Sequence, residues 1–173
     1  MESNHQQSPT LVAFSDHQSA LVWHPIGDAV MGGRSDGALI QSEKGYADFC
    51  GTVRLDNGGG FASVKANLPE PMDLSDWTGI ELLVLGDGRS YKIGLRNSVD
   101  RRSIVYQQAF TPDPGQWSLV RLHFSDFIPT WRGKTLPDAP RLSLRDLASL
   151  SIFVSGRQAG PFHLRMQNWT LTP

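Results

Sequence analysis

Short alternating apolar and polar segments, cut by turn residues, recur along the whole chain. No other feature constrains the fold as strongly. Period-2 patterns fall at residues 11–14, 21–24, 46–55, 61–66, 80–85, 90–96, 104–110, 117–124, 150–155 and 162–171. The breaks between them are Asn57-Gly58-Gly59-Gly60, Gly86-Asp87-Gly88, Thr111-Pro112-Asp113-Pro114-Gly115 and Gly160-Pro161. Such clusters supply the backbone angles that tight turns need. With 17 Gly and 11 Pro among 173 residues, short strands joined by turns are favoured over a helical bundle. The expected fold is all-β, an antiparallel two-sheet sandwich or jelly roll. One domain over residues 11–173 fits the length, behind a loose segment at 1–10. The first and last strands are expected side by side in one sheet. Helix is expected only as a turn or two at Ser143-Leu144-Arg145-Asp146, which has capping-box spacing, and one turn at 73–77.

Charge and cysteine content exclude several functions. Net charge is −1, so the whole chain is no polyanion binder. Residues 1–81 hold 4 basic and 11 acidic side chains, and residues 82–173 hold 12 and 6. Strands of both halves should interleave in a sandwich and neutralise each other. The single Cys50 excludes an intrachain disulfide and a cysteine-cluster metal site. No His pair has metal-site spacing, so neither a metal nor another cofactor is expected. Asp16 and Asp28 could serve a hard cation, but no motif supports it. The apolar runs are far too short to insert in a membrane, and with the polar start they point to a cytoplasmic location.

Catalytic motifs fail on context. Gly33-Arg34-Ser35-Asp36-Gly37 fits a nucleophile elbow, which needs a helix after the serine, and no helical pattern follows. Gly86-Asp87-Gly88-Arg89 lacks the third glycine and the helix of a dinucleotide site. It does place Asp87, Arg89 and Tyr91 at one parity. Arg89 then leans toward the apolar face and should pair with Asp28, Asp56 or Asp87. The opposite parity, Ser90, Lys92, Gly94 and Arg96, reads as solvated. The basic hairpin of Lys92, Arg96, Arg101 and Arg102 lacks interleaved aromatics, which disfavours nucleic acid.

Several ordered blocks resemble a known family. They are Trp23 with Gly27-Asp28-Ala29-Val30-Met31-Gly32-Gly33-Arg34-Ser35, Phe49-Cys50-Gly51-Thr52-Val53, and Asn57-Gly58-Gly59-Gly60-Phe61-Ala62-Ser63-Val64. Leu85-Gly86-Asp87-Gly88-Arg89-Ser90-Tyr91-Lys92, Trp117, Phe124-Ser125-Asp126-Phe127, Trp131-Arg132-Gly133 and Gly160-Pro161-Phe162 follow in order. Together they resemble the complex I intermediate-associated protein 30 family from Phe14 to Leu171. Gly27, Lys65 and His123 depart from its usual Asn, Arg and Pro. The resemblance implies a galactose-binding-domain-like jelly roll in a stand-alone member without catalytic residues.

The leading functional expectation is therefore a non-catalytic protein-interaction module with an assembly or scaffold role. The alternative is a module for a sugar or other small polyol. Candidate binding residues are Arg34, Trp131 and Arg132 at a loop rim, and Arg96, Gln107 and Arg165 on a sheet. Gln107 and Arg121 could join His163, Arg165, Gln167 and Trp169 in one polar face, since the last four share strand parity. Asp28, Gly32, Gly33, Asn57, Gly59, Asp87, Arg89 and Tyr91 are expected to shape turns.

Overall fold

A computed structural model describes residues 9–14, 21–27, 35–42, 45–56, 60–100, 102–154, 156 and 158–173. Fourteen strands follow in chain order among them. They are β1 (Thr10–Val12), β2 (Trp23–Gly27), β3 (Asp36–Gln41), β4 (Tyr46–Val53), β5 (Ala62–Met72), β6 (Gly79–Leu85) and β7 (Tyr91–Arg96). Then come β8 (Val105–Phe110), β9 (Trp117–His123), β10 (Ile128–Trp131), β11 (Lys134–Thr135), β12 (Leu147–Val154), β13 (Gly160–Gln167) and β14 (Trp169–Thr172).

The strands form two antiparallel sheets. Sheet I runs β1-β14-β6-β13-β4-β3, with β9 on the other side of β6. Sheet II runs β11-β10-β8-β7-β12-β5-β2. The first strand pairs with the last, Thr10 opposite Thr170. Alternation then builds the core. Sheet I turns Phe49, Ile80, Leu82, Val84, Leu164 and Met166 inward, and sheet II answers with Tyr91, Ile93, Leu95, Leu150, Ile152 and Val154.

Three strands lie outside the periodic segments. β3 follows the Gly-rich 33–37 stretch, where the sequence reads as a turn. β10 carries Pro129, and β11 is two residues long. Between them, Arg132 and Gly133 take φ of 50° and 77°, the doubly left-handed turn that closes a two-residue hairpin. The turns expected to be helical are not. Ser75 N–H bonds the Asp73 carboxylate at 2.8 Å, and Ser143 Oγ accepts the Arg145 N–H at 3.4 Å. Short polar side chains capture the backbone there before a helix can start. A 3-10 turn occurs instead at Phe124–Asp126.

Two expectations about exposure are corrected. Arg96 is not solvated, being only 9% exposed. The segment after β7 folds back over the outer face of sheet II. Arg96 Nη1 donates to Ser103 O at 2.9 Å, Lys65 Nζ to Val99 O at 2.7 Å and Ser149 Oγ to Ser98 O at 3.1 Å. Trp169 does not share a face with residues 163, 165 and 167. The strand breaks at Asn168, whose Oδ1 accepts the Phe14 N–H at 3.0 Å, and the extra residue flips the parity. Trp169 is fully buried, with its ring 6.3 Å from Phe14 and 6.0 Å from Trp23.

Candidate functional site

The sequence-based candidates fall in three separate places. Gln107 and Arg96 belong to the outer face of sheet II. One row there runs Ile128, Gln107, Gly94, Ser151, Lys65 and His24 across the strands. It offers little room, because a side chain at Gly94 would meet Val105 at 2.7 Å and Phe153 at 2.8 Å. Trp131 and Arg132 sit on the β10–β11 hairpin at the edge of that sheet, with the guanidinium 4.6 Å from the indole centroid. Arg165 is on the far side of the sandwich. Arg34, Asp28, Gly32, Gly33, Asn57 and Gly59 lie outside the described residues, as does Asp16.

Asp87, Arg89 and Tyr91 do come together. The Asp87 carboxylate accepts the Arg89 amide at 3.1 Å, the Tyr91 hydroxyl at 2.9 Å and the His163 amide at 2.8 Å. Arg89 Nη1 approaches it at 3.4 Å, and Arg89 Nη2 donates to Ala159 O at 2.8 Å. The Arg89 side chain is 24% exposed. Burial, then the Asp87 charge, pushes the Tyr91 phenol far above its ordinary value. This cluster ties the β6–β7 turn to β13, and its carboxylate is taken up within the chain. Ser35 is likewise occupied. Its Oγ accepts the Arg54 N–H at 2.9 Å and donates to Arg54 O at 3.1 Å, fastening β3 to the end of β4.

The outer face of sheet I is open, and alternation explains what it carries. In β4, β6, β9 and β13 one parity faces the core, so the other must face out. One row runs Trp117, Leu85, Arg165, Asp48 and Ile40. Beside it, Leu119 and Leu83 pair across β9 and β6, and Gln167 and Tyr46 across β13 and β4. A third row sets Arg121 against Glu81 and Glu81 against Thr170.

The polar half of this face is internally satisfied. Asp48 accepts Arg165 Nε at 2.8 Å and approaches His163 Nε2 at 2.7 Å. Burial works to raise the Asp48 pKa, but the bonds from Arg165 and His163 together outweigh it and hold the carboxyl below its ordinary 3.8. Arg165 also lies over the Tyr46 ring at 4.6 Å. Cys50 sits opposite His163, and burial together with Asp48 and Asp36 raises its thiol pKa. The apolar half is unmatched. Trp117 is 43% exposed and Leu119 55%. A groove of about 250 Å³ is lined by Gly45, Glu81, Leu83, Leu119, Gln167 and Thr170, among others. A second groove of about 200 Å³ adjoins it at Glu81. Both are open grooves on the sheet surface, not enclosed pockets.

The sequence reading missed Trp117, Leu119, Tyr46 and Asp48. The signal was present in 117–123, where both parities carry apolar residues. Only one parity can be inward, so the other had to leave apolar side chains outside.

Comparison with known proteins adds a family and a fold. A family model described as complex I intermediate-associated protein 30 matches residues 12–166. An uncharacterised Schizosaccharomyces pombe protein is 27% identical, over 87% of this chain and 80% of its own. The Neurospora crassa mitochondrial complex I intermediate-associated protein 30 is 26% identical over 69% of this chain, but only 49% of its own. The chain thus spans about half the length of that relative. The family 11 carbohydrate-binding module of a Clostridium thermocellum cellulosomal cellulase superposes with a TM-score of 0.69, at 18% identity over 96% of this chain and 94% of its own. That likeness is one of fold.

Proposed function

This chain belongs to the complex I intermediate-associated protein 30 family, and from that premise we propose that it is a non-catalytic protein-interaction module with an assembly or scaffold role. One observation carries the reading: Trp117 and Leu119 stand exposed on an open sheet face beside charges already neutralised within the chain. An apolar patch with a paired polar rim resembles the centre and border of a protein interface. Small-ligand sites enclose most of their ligand and are larger than these open grooves. The relatives named for complex I intermediates support a multi-subunit assembly as the partner's setting.

The test is affinity purification of the tagged chain from its source cells, compared with Trp117→Ser and Leu119→Ser. Both side chains are exposed, so both variants should fold, and both should lose the wild-type partners. Unchanged partners in both would reject the face.

A second reading has one observation behind it. The fold is shared with carbohydrate-binding modules, and an exposed Trp on a sheet face is the usual platform for a sugar ring. A glycan panel read by tryptophan fluorescence decides it. Saturable quenching lost in Trp117→Ser favours a sugar.

A further inference from the structure

β9 is an edge strand. It pairs with β6 through seven consecutive register positions without a bulge, and with no other strand. In an antiparallel ladder alternate residues turn their N–H and C=O to opposite sides. Two bonds set the phase here. Phe124 N–H donates to Thr78 O at 2.9 Å, and Leu171 N–H donates to Pro9 O at 2.8 Å. The second turns Thr170 and Thr172 toward Glu81 and Gly79 of β6, which leaves Ile80, Leu82 and Val84 bonding β9. Both place Ser118, Val120 and Leu122 in the ladder. The backbone groups of Trp117, Leu119, Arg121 and His123 therefore point away from the sheet, and none has a partner among the described residues.

The other edges are blunted, as soluble sheets require. β1 has three residues and β11 two. β2 contains Pro25, and β2 packs against β3 to close that side of the sandwich. β9 has no Pro, Gly, Lys or bulge. Its outward parity carries exposed Trp117 and Leu119. Arg121 gives Nε to Glu81 at 2.7 Å yet stays 66% exposed, with both terminal nitrogens open.

We infer that β9 receives an extended segment of the partner protein as an added antiparallel strand of sheet I. This deepens the protein-interaction reading and rests on it. Backbone pairing would supply affinity, and the outward row would supply selection. The segment would set apolar side chains beside Trp117 and Leu119 and a carboxylate beside Arg121. A second copy fits less well. Full overlap of two β9 strands about a two-fold axis sets Arg121 against Leu119 and Trp117 against His123, leaving the terminal nitrogens of Arg121 without an acceptor across the new pairing.

The experiment is an NMR titration of the intact chain with the peptide Thr-Val-Thr-Glu-Thr-Val-Thr-Val. In the free protein the amides of Trp117, Leu119, Arg121 and His123 should exchange fast, and those of Ser118, Val120 and Leu122 slowly. Peptide should protect the fast set. Two controls should each weaken binding about tenfold, the worth of one or two backbone bonds. One is the peptide N-methylated on alternate amides. The other is Leu119→Pro, which removes an outward N–H together with the Leu119 side chain and no ladder bond to β6; the methylated peptide isolates the backbone part and covers the case where that variant misfolds. Equal binding of the methylated peptide, protection elsewhere, or no shift at saturating peptide would overturn the inference. So would a dimer in sedimentation that Leu119→Pro dissolves, because the edge would then belong to a second copy. If Leu119→Pro still retains the cellular partner, the edge fails while the interaction reading stands. If wild type retains no partner, the interaction reading fails and the peptide result stands alone.

Discussion

Asp87 shows how much of a fold one carboxylate can hold. It accepts from the hydroxyl of the fully buried Tyr91, from the backbone of Arg89 and from the backbone of His163 on the opposite sheet. Asp87→Ala should lower stability by about 2–3 kcal/mol, because a buried hydroxyl and an amide lose their acceptor. Tyr91→Phe removes one bond cleanly and should cost only about 1 kcal/mol. Urea denaturation midpoints separate the two, and equal losses would show that Asp87 is no hub. Asp48 makes a different prediction, in pH. Its folded pKa lies below the ordinary 3.8, so its stabilisation is complete above the unfolded value and disappears as pH falls through the folded one. Stability measured from about pH 5 downward should therefore fall less steeply in Asp48→Asn than in wild type. The spacing of Asp87, Arg89 and Tyr91 was legible because strand parity alone brings them together. Asp48 was not, because its partners Arg165 and His163 come from a strand more than a hundred residues away. Arg96 was misread because parity says which face a side chain leaves from, not whether a loop returns over that face.

At the scale of elements, ten alternating segments marked where most strands would fall. Boundaries and short edge strands escaped. β13 and β14 read as one segment because a single inserted residue at Asn168 leaves no mark in composition. β3, β10 and β11 escaped because Gly, Pro and two-residue lengths hide a strand that only tertiary pairing can stabilise. Two glycines show what close approach adds to backbone strain. A Cβ on Gly51 would lie 2.2 Å from Asp36 O, inside the β3–β4 ladder. Its φ of 159° is also one that side chains rarely adopt, so strain adds to the clash. Gly51→Ala should push β3 off β4 and cost about 2–3 kcal/mol, as overpacking does. Gly115 has open space around it but a φ of 74°. Gly115→Ala should cost only about 1 kcal/mol. Thermal midpoints of the two variants should rank in that order, with hydrogen-exchange protection of β3 lost only in Gly51→Ala.

Across the whole molecule, the acidic first half and basic second half meet in the sheets. Arg165 and His163 reach Asp48, and Arg121 reaches Glu81. The chain ends meet as well. β1 lies on β14, and Phe14 packs between Trp23 and Trp169 with ring centroids 6.3 Å from each. Phe14 is 2% exposed, so Phe14→Ala should cost about 3–5 kcal/mol, the usual range for an aromatic deleted from a core. The contact also closes one of the longest loops among the described residues, since Asn168 and Trp169 lie more than 150 residues from Phe14. Closing a loop of that length is entropically costlier than closing a hairpin, so it should form after the local hairpins β7–β8 and β10–β11. An interaction absent from the transition state changes unfolding, not folding. In stopped-flow denaturation, Phe14→Ala should therefore leave the folding rate near wild type and speed unfolding by nearly the whole loss in stability. The far-UV spectrum should stay β-type while the Trp169 fluorescence changes. A slowed folding rate would instead place the joining of the two ends in the folding nucleus.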